Sequence, residues 1–208
     1  MITLTKEERN SLSPKKAIEI LKDGNKRFIK NLKVNRNLLE QVNNTAAGQH
    51  PFAIILSCID SRTSAELIFD QGLGDIFSCR IAGNILNDDI IGSMEFACKV
   101  AGVKVIMVLG HTSCGAIQGA CDHVKLGKLS GLLNKIEPAI AEEKTTKEDR
   151  NSKNPQFVNN VADINVELTA KQIAKQSPIL LEMINNEEIA IVGGMYDVAT
   201  GVVDFREE

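Results

Sequence analysis

The chain has 208 residues, 43% hydrophobic and 25% charged, and a net charge of -3 from 24 basic and 27 acidic side chains. That length suits a single domain with its own core, and the slightly acidic balance leaves no basic surplus for gripping nucleic-acid phosphates. Apolar runs such as 105–110 are far too short to cross a bilayer.

In chain order, the N-terminus (MITLTKEERNSLSPKK) has no basic segment followed by an apolar stretch, so no signal peptide is expected and the expected location is cytoplasmic. Thiols stay reduced there, so the five Cys read as ligands, nucleophiles or core residues rather than a disulfide framework. Apolar spacing predicts a helix over 14–32, entered at Pro14 and weakened by Gly24, and a short helix over 36–47. Residues 1–47 together read as a helical arm, hard to bury within one subunit and expected to pack on a partner. Residues 48–208 read as the catalytic α/β domain.

Four apolar runs predict strands: 52–57 (FAIILS), 75–82, 103–110 (VKVIMVLG) and 188–194 (EIAIVGG). Helical patterns fall between and after them at 63–69, 88–101, 115–126, 130–144, 157–175 and 178–185, with Asp88 as an expected N-cap. Strands apolar on both faces and separated by helices predict an α/β fold, a mainly parallel four-stranded sheet with helices on both faces. A fifth strand, 202–205, follows the turn DVATG too closely for a crossover and should be an antiparallel edge strand. Residues 142–154 (EEKTTKEDRNSKN) read as a solvated helix end and surface loop. Scarce aromatics (seven Phe, one Tyr, no Trp) leave the core to Ile, Leu, Val and Ala.

Two clusters carry the chemistry. Cys58-Ile59-Asp60-Ser61-Arg62 follows the first strand, and His111-Thr112-Ser113-Cys114-Gly115 follows the third. In a doubly wound sheet, ligands bind beyond the carboxyl ends of the strands. If those two strands are neighbours, Cys58, His111 and Cys114 converge. Two thiolates and one imidazole suit zinc and leave a fourth position open, the pattern of a catalytic site. A structural or redox cysteine cluster is the alternative. Two thiolates balance the ion's charge and weaken its Lewis acidity, so Asp60 and Arg62, close to Cys58, could help to hold hydroxide.

In these clusters and their surroundings the chain resembles the β-class carbonic anhydrases. The resemblance runs through CIDSR (58–62), FDQGLGDIF (69–77), RIAGNI (80–85), SMEFA (93–97) and GHTSCGAI (110–117). It continues in NVELTAKQI (165–173), SPILLEMI (177–184) and GGMYDVATGVVDF (193–205), covering about residues 48–205. It implies that Cys58, His111 and Cys114 hold one Zn2+ per chain. It makes Asp60 and Arg62 a dyad in which Arg62 holds Asp60 and Asp60 orients zinc-bound hydroxide. Gly115 would offer its N–H near the substrate, and Gln49 would reach substrate, often across a dimer interface. Phe77, Ala82 and Phe96 would wall the pocket. Phe96 stands where plant-type members often carry Tyr, and Ala82 is smaller than the usual aliphatic. Without Trp, the Trp-containing bicarbonate site of some bacterial members is absent in its usual form.

The implied reaction is the reversible hydration of carbon dioxide to bicarbonate and a proton, by a homodimer that pairs in some members into a homotetramer, with no nucleic-acid or membrane partner. Hydrolysis of carbon disulfide or carbonyl sulfide is one rival reading. A non-catalytic zinc-binding protein is another, opposed by Asp60 and Arg62 standing beside all three ligands.

Overall fold

β1 (Ala53–Ser57) and β3 (Val105–His111) are buried at every position, as strands covered on both faces must be. In the computed structural model, which describes residues 3–206, they lie side by side at the centre of one five-stranded sheet. Its order is β2-β1-β3-β4-β5, with β2 at Ile76–Arg80, β4 at Ala190–Tyr196 and β5 at Val203–Arg206. The first four strands are parallel and β5 runs antiparallel to β4, as the sequence predicts.

Alternate residues feed two apolar layers. Ile54, Leu56, Ile106 and Val108 face one cluster, with Phe157, Val161 and Val166 of a long helix. Ala53, Ile55, Val105, Met107 and Leu109 face the other, with Ala17, Leu21 and Phe69. The helices are α1 (Lys6–Ser11), α2 (Pro14–Ile29), α3 (Leu38–Thr45), α4 (Ala65–Ile68), α5 (Asp88–Glu95), α6 (Gly115–Cys121), α7 (Gly127–Leu133), α8 (Glu137–Glu142), α9 (Pro155–Gln176) and α10 (Pro178–Asn185). Side-chain caps start several of them: Ser13 accepts from the Lys16 N–H, Asn154 from Phe157 and Ser177 from Leu180, each followed by Pro at the first helical position. Among the described residues, no helix is long and apolar enough to cross a membrane.

Several elements differ from the sequence reading. The expected helix over 88–101 ends at Glu95 and continues as a π-helical turn, Phe96–Val100. Its cap is Asn87, whose side chain accepts from the Ile90 N–H, so Asp88 is instead the first helical residue. The expected helix over 130–144 splits into α7 and α8 because Pro138 fits only a helix's first turn. α1 was not expected, although Thr5 and Glu8 form a reciprocal capping box at its start. Gly24, which weakened the sequence case for α2, lies inside an unbroken helix. A Cβ there would lie 1.8 Å from the Phe69 carbonyl oxygen, so only glycine lets α2 approach α4 so closely.

Parts of the arm pack on its own chain. Ala17 and Leu21 of α2 are buried in the sheet's second layer. Arg9 of α1 is buried and donates to the Ala101 carbonyl at 2.5 Å. Buried Asp70 receives Arg27 and Arg36, both at 2.5 Å, and the Val34 N–H at 3.3 Å, which anchors the link between α2 and α3. Leu38, Leu39 and Val42 of α3 remain exposed as the arm's apolar face. Residues 1 and 2 of the arm lie outside the described residues.

The stretch 142–154 is not a plain solvated loop. The Glu143 side chain is only 1% exposed. Its carboxylate accepts from the Thr145 and Thr146 N–H groups at 3.1 and 3.0 Å, from both their hydroxyls, from Asn160 Nδ2 at 3.3 Å and from the Arg150 guanidinium. Arg150 also donates to the Ile140 carbonyl at 2.7 Å and stacks on Phe157, with 4.6 Å to the ring centroid. A charged run therefore folds around one buried carboxylate. Its pattern shows no period, which is why the sequence reads as solvated.

Burial raises the Glu143 pKa, but the donors outweigh burial and hold it down at about 2. An unfolded glutamate titrates near about 4.3. This carboxylate's contribution to stability is therefore complete above about pH 4.3 and is lost as the pH falls through about 2. Glu143→Gln should lower stability at neutral pH and flatten the loss of stability between those values. Urea unfolding of both proteins across that range checks this, and an unchanged acid slope would refute it.

Candidate metal centre

The sheet order brings the two motifs together. β1 and β3 pair in parallel with Ser57 opposite Leu109, so their carboxyl ends open on the same side. Cys58 is the first residue past β1, His111 is the last residue of β3, and Cys114 is the N-cap of α6. Ser113 turns the chain between them at φ 55°. The three ligand atoms lie within 4.8 Å of one another, and all three residues are buried.

The donor geometry fits a tetrahedral ion. The Cys58 and Cys114 sulfurs are 3.8 Å apart. Two sulfurs each about 2.3 Å from a tetrahedral centre would be separated by roughly the same distance. His111 Nδ1 is 2.9 Å from the Thr112 carbonyl oxygen. A carbonyl only accepts, so Nδ1 carries the ring proton and Nε2 is left with a bare lone pair. Nε2 is buried and has no hydrogen-bond partner. A buried, unpaired acceptor is costly, and a cation is the partner that would satisfy it.

The charges point the same way. A hydrogen bond from Cys114 lowers the Cys58 pKa to about 4, against the opposing effect of burial and with further help from the Gly83 N–H. Cys114 moves strongly upward, through its hydrogen bond to Cys58 and through burial. Two thiolates in contact repel each other, so without a cation only one ionises. The remaining cysteines are free and shifted upward by burial: Cys98 to about 12, Cys121 to about 11, and Cys79 in the same direction. None of them belongs to the cluster, so it is their contact with each other and with His111 that sets Cys58 and Cys114 apart.

Asp60 and Arg62 form a forked pair beside the cluster. Arg62 Nε and backbone N–H both donate to Asp60 Oδ1 at 2.9 Å, and Nη2 donates to Oδ2 at 2.8 Å. These bonds hold the Asp60 carboxyl far below the usual carboxylate range. Arg62 Nη2 also reaches the Ser113 carbonyl at 3.5 Å, tying the two loops together.

Three supports were not singled out from the sequence. Arg80, at the end of β2, donates to the Cys58 carbonyl at 3.0 Å and the Asp60 carbonyl at 2.6 Å. The buried Thr63 hydroxyl lies 3.1 and 2.9 Å from the same two carbonyls. Asn159 Oδ1 accepts from the Ser113 N–H at 3.3 Å. Arg80 opens the motif RIAGNI, but a bond to a backbone carbonyl leaves no local signature.

The other expected site residues are more dispersed. Gly115 opens α6 beside Cys114, and a Cβ there would meet no atom within 4 Å. Ala82 lies half-buried in the short turn Ala82–Asn84 after β2. Phe77 and Phe96 are together, with ring centroids 6.3 Å apart, in an open groove of about 590 Å3 lined also by Ile54 and Cys79. Phe96 is 54% exposed. Phe77 pairs with Ile54, four residues before Cys58, so the groove sits about 13 Å along the strand from its own chain's cluster. Gln49 is exposed on the loop before β1. His123 is at the surface with Glu137, and neither it nor His50 belongs to the cluster.

Residues 53–203 match the family model for carbonic anhydrase. Carbonic anhydrase 2 of Mycobacterium tuberculosis is 34% identical over 201 residues, covering 94% of this chain and 94% of that one. The β-carbonic anhydrase CafA of Aspergillus fumigatus superposes with a TM-score of 0.72 at 28% identity, over 81% of each chain. A tetrameric β-carbonic anhydrase of Sordaria macrospora superposes with a TM-score of 0.67 at 27% identity, over 77% of this chain and 82% of its own.

The donor set makes a direct prediction. The protein should take up one zinc ion per chain, and Cys58→Ser should lose it, because a serine hydroxyl does not ionise to replace the thiolate. Elemental analysis after dialysis against a weak chelator checks this. Full zinc retention in Cys58→Ser would remove Cys58 from the ligand set.

Proposed function

The chain belongs to the β class of the carbonic anhydrase family, and on that premise we propose that it hydrates carbon dioxide reversibly to bicarbonate and a proton, with zinc held by Cys58, His111 and Cys114. The observation that carries this reading is the buried donor set, two sulfurs 3.8 Å apart beside an unpaired His111 Nε2. Zinc, when bound there, supplies the Lewis acidity that makes a water nucleophilic near neutral pH. Cys58 and Cys114 would hold it as thiolates and His111 through Nε2. Two anionic sulfurs temper that acidity, so activity should rise with pH.

Asp60 orients the nucleophile in this proposal. Its Oδ1 already accepts two bonds from Arg62 and its Oδ2 accepts one. Oδ2 therefore keeps acceptor capacity for a water proton. Arg62 holds the carboxylate ionised and fixed, so Asp60 accepts a hydrogen bond without taking the proton, which leaves to solvent. The Gly115 N–H, on open space at the start of α6, is the proposed donor to a bicarbonate oxygen.

The wall for carbon dioxide is assigned to two chains. Carbon dioxide is small and apolar and favours a dry surface over charged groups. The role of Ala82 is supported by its neighbour Gly83, whose N–H lies 3.4 Å from the Cys58 sulfur. Phe77 and Phe96 form an exposed apolar groove set back from their own cluster, which suits a role, together with Gln49, at a second copy's site. The exposed apolar face of α3 supports the same assembly, a homodimer able to pair into a tetramer, with the arm contributing to the contact. Ligands that must stay reduced fit a cytoplasmic location.

Stopped-flow hydration of carbon dioxide by the zinc-loaded protein, scanned from about pH 6.5 to 9, tests the reading. Turnover should rise with pH. Asp60→Asn should retain zinc and lower kcat/KM by roughly 10–100-fold, as losses of outer-shell hydrogen-bond partners do. No turnover at any pH with one zinc per chain would overturn the assignment. Light scattering at micromolar concentration should give the mass of at least two chains, and a monomer would remove the proposed role of Phe77 and Phe96.

A further inference from the structure

Cys58 has a hydrogen-bond donor outside the ligand set. The Gly83 N–H lies 3.4 Å from its sulfur. Gly83 sits in the Ala82–Asn84 turn at φ 67°, ψ 17°, a conformation that favours glycine. A Cβ on it would also come within 2.9 Å of Ile136 Cδ1 and 3.4 Å of Ala116 Cβ. The carbonyl of the same residue is gripped from the other side by Asn165 Nδ2, at 3.0 Å. Asn165 is only 4% exposed, on α9. The next residue, Val166, packs where Cβ atoms on Gly110 and Gly193 would clash with it, so α9 is seated firmly on β3 and β4. Asn165 thus ties Gly83 to the helix that rests on the strand carrying His111.

We propose that Asn165 is a positioning residue of the metal centre: by holding the Gly83 carbonyl it keeps the Gly83 N–H on the Cys58 sulfur. This rests on the reading of Cys58, His111 and Cys114 as a zinc site. An N–H donor draws charge off a thiolate, so the ion it binds keeps more of its Lewis acidity. The bond therefore offsets part of the weakening that two thiolate ligands impose. Asn165 touches neither metal nor substrate and acts only through Gly83.

The test compares wild type with Asn165→Leu, which keeps the shape of the side chain and removes the donor. Thr169→Val serves as control, a change at a similarly buried polar residue one turn along α9. Two quantities are measured. Zinc affinity is read by competition with a coloured chelator, and the sulfur-to-metal charge-transfer band is read after loading with cobalt(II). Asn165→Leu should bind zinc roughly 10–100-fold more weakly, as losses of outer-sphere partners do. Its cobalt band should move to longer wavelength, because a thiolate without its N–H donor gives up an electron more easily. Thr169→Val should change neither. Asn165→Ser, too short to reach the Gly83 carbonyl, should behave like the leucine variant and provides the measurement if that variant does not fold. Wild-type affinity with an unmoved band in a folded Asn165 variant overturns the inference alone. Equal weakening in Thr169→Val with no band shift in either variant also overturns it, because the effect is then general loosening of α9. A wild-type chain that takes up neither ion overturns the zinc centre and this inference together.

Discussion

Two sulfurs held 3.8 Å apart inside a protein cannot both be anions unless a cation lies between them. Much of this molecule is arranged around that constraint. The sheet places the carboxyl ends of β1 and β3 side by side, so Cys58 meets the turn that carries His111 and Cys114. The His111 tautomer is set by a backbone carbonyl, which leaves the imidazole lone pair bare beside the sulfurs. The donor set is thus in place without a metal, and a cation there would take the place of the proton that Cys114 keeps in its absence.

The surrounding shell meets a second requirement, that a loop of five residues stay rigid. Residues 58–62 are held mainly through their carbonyls, by Arg80 and Thr63, while Arg62 folds back onto Asp60. The second loop is tied to the first through Arg62 and Ser113, and to α9 through Asn159. α9 therefore braces the centre as well as covering the sheet. Its own seat depends on Gly110 and Gly193, which leave room for Val166.

Away from the centre, buried charge is handled by saturation with donors. Asp70 takes two arginines and a backbone N–H, and Glu143 takes an arginine, an amide, two hydroxyls and two backbone N–H groups. Burial of an ion is tolerated when its acceptor sites are filled this completely. Each knot fixes a segment that has little apolar surface of its own, the α2–α3 link in one case and the stretch after α8 in the other.

The sequence by itself determined the parallel sheet, because runs apolar on both faces have few other folds open to them. It also placed Cys58, His111 and Cys114 at strand ends, because two-residue spacing and strand-end position are local properties. It could not show that Gly24 is an approach point for α4 or that Glu143 is buried, since each depends on what lies opposite in space, whereas α1 (Lys6–Ser11) does carry a local signal in the capping box of Thr5 and Glu8. Arg80, Thr63, Asn159 and Asn165 stayed hidden for the same reason: their partners are mostly backbone atoms, which carry no residue identity. The separation of Phe77 and Phe96 from their own chain's cluster was likewise decided only by the tertiary structure. Strand register sets distance along the sheet, and a motif read in one dimension cannot tell how far along it a side chain lies from the cluster.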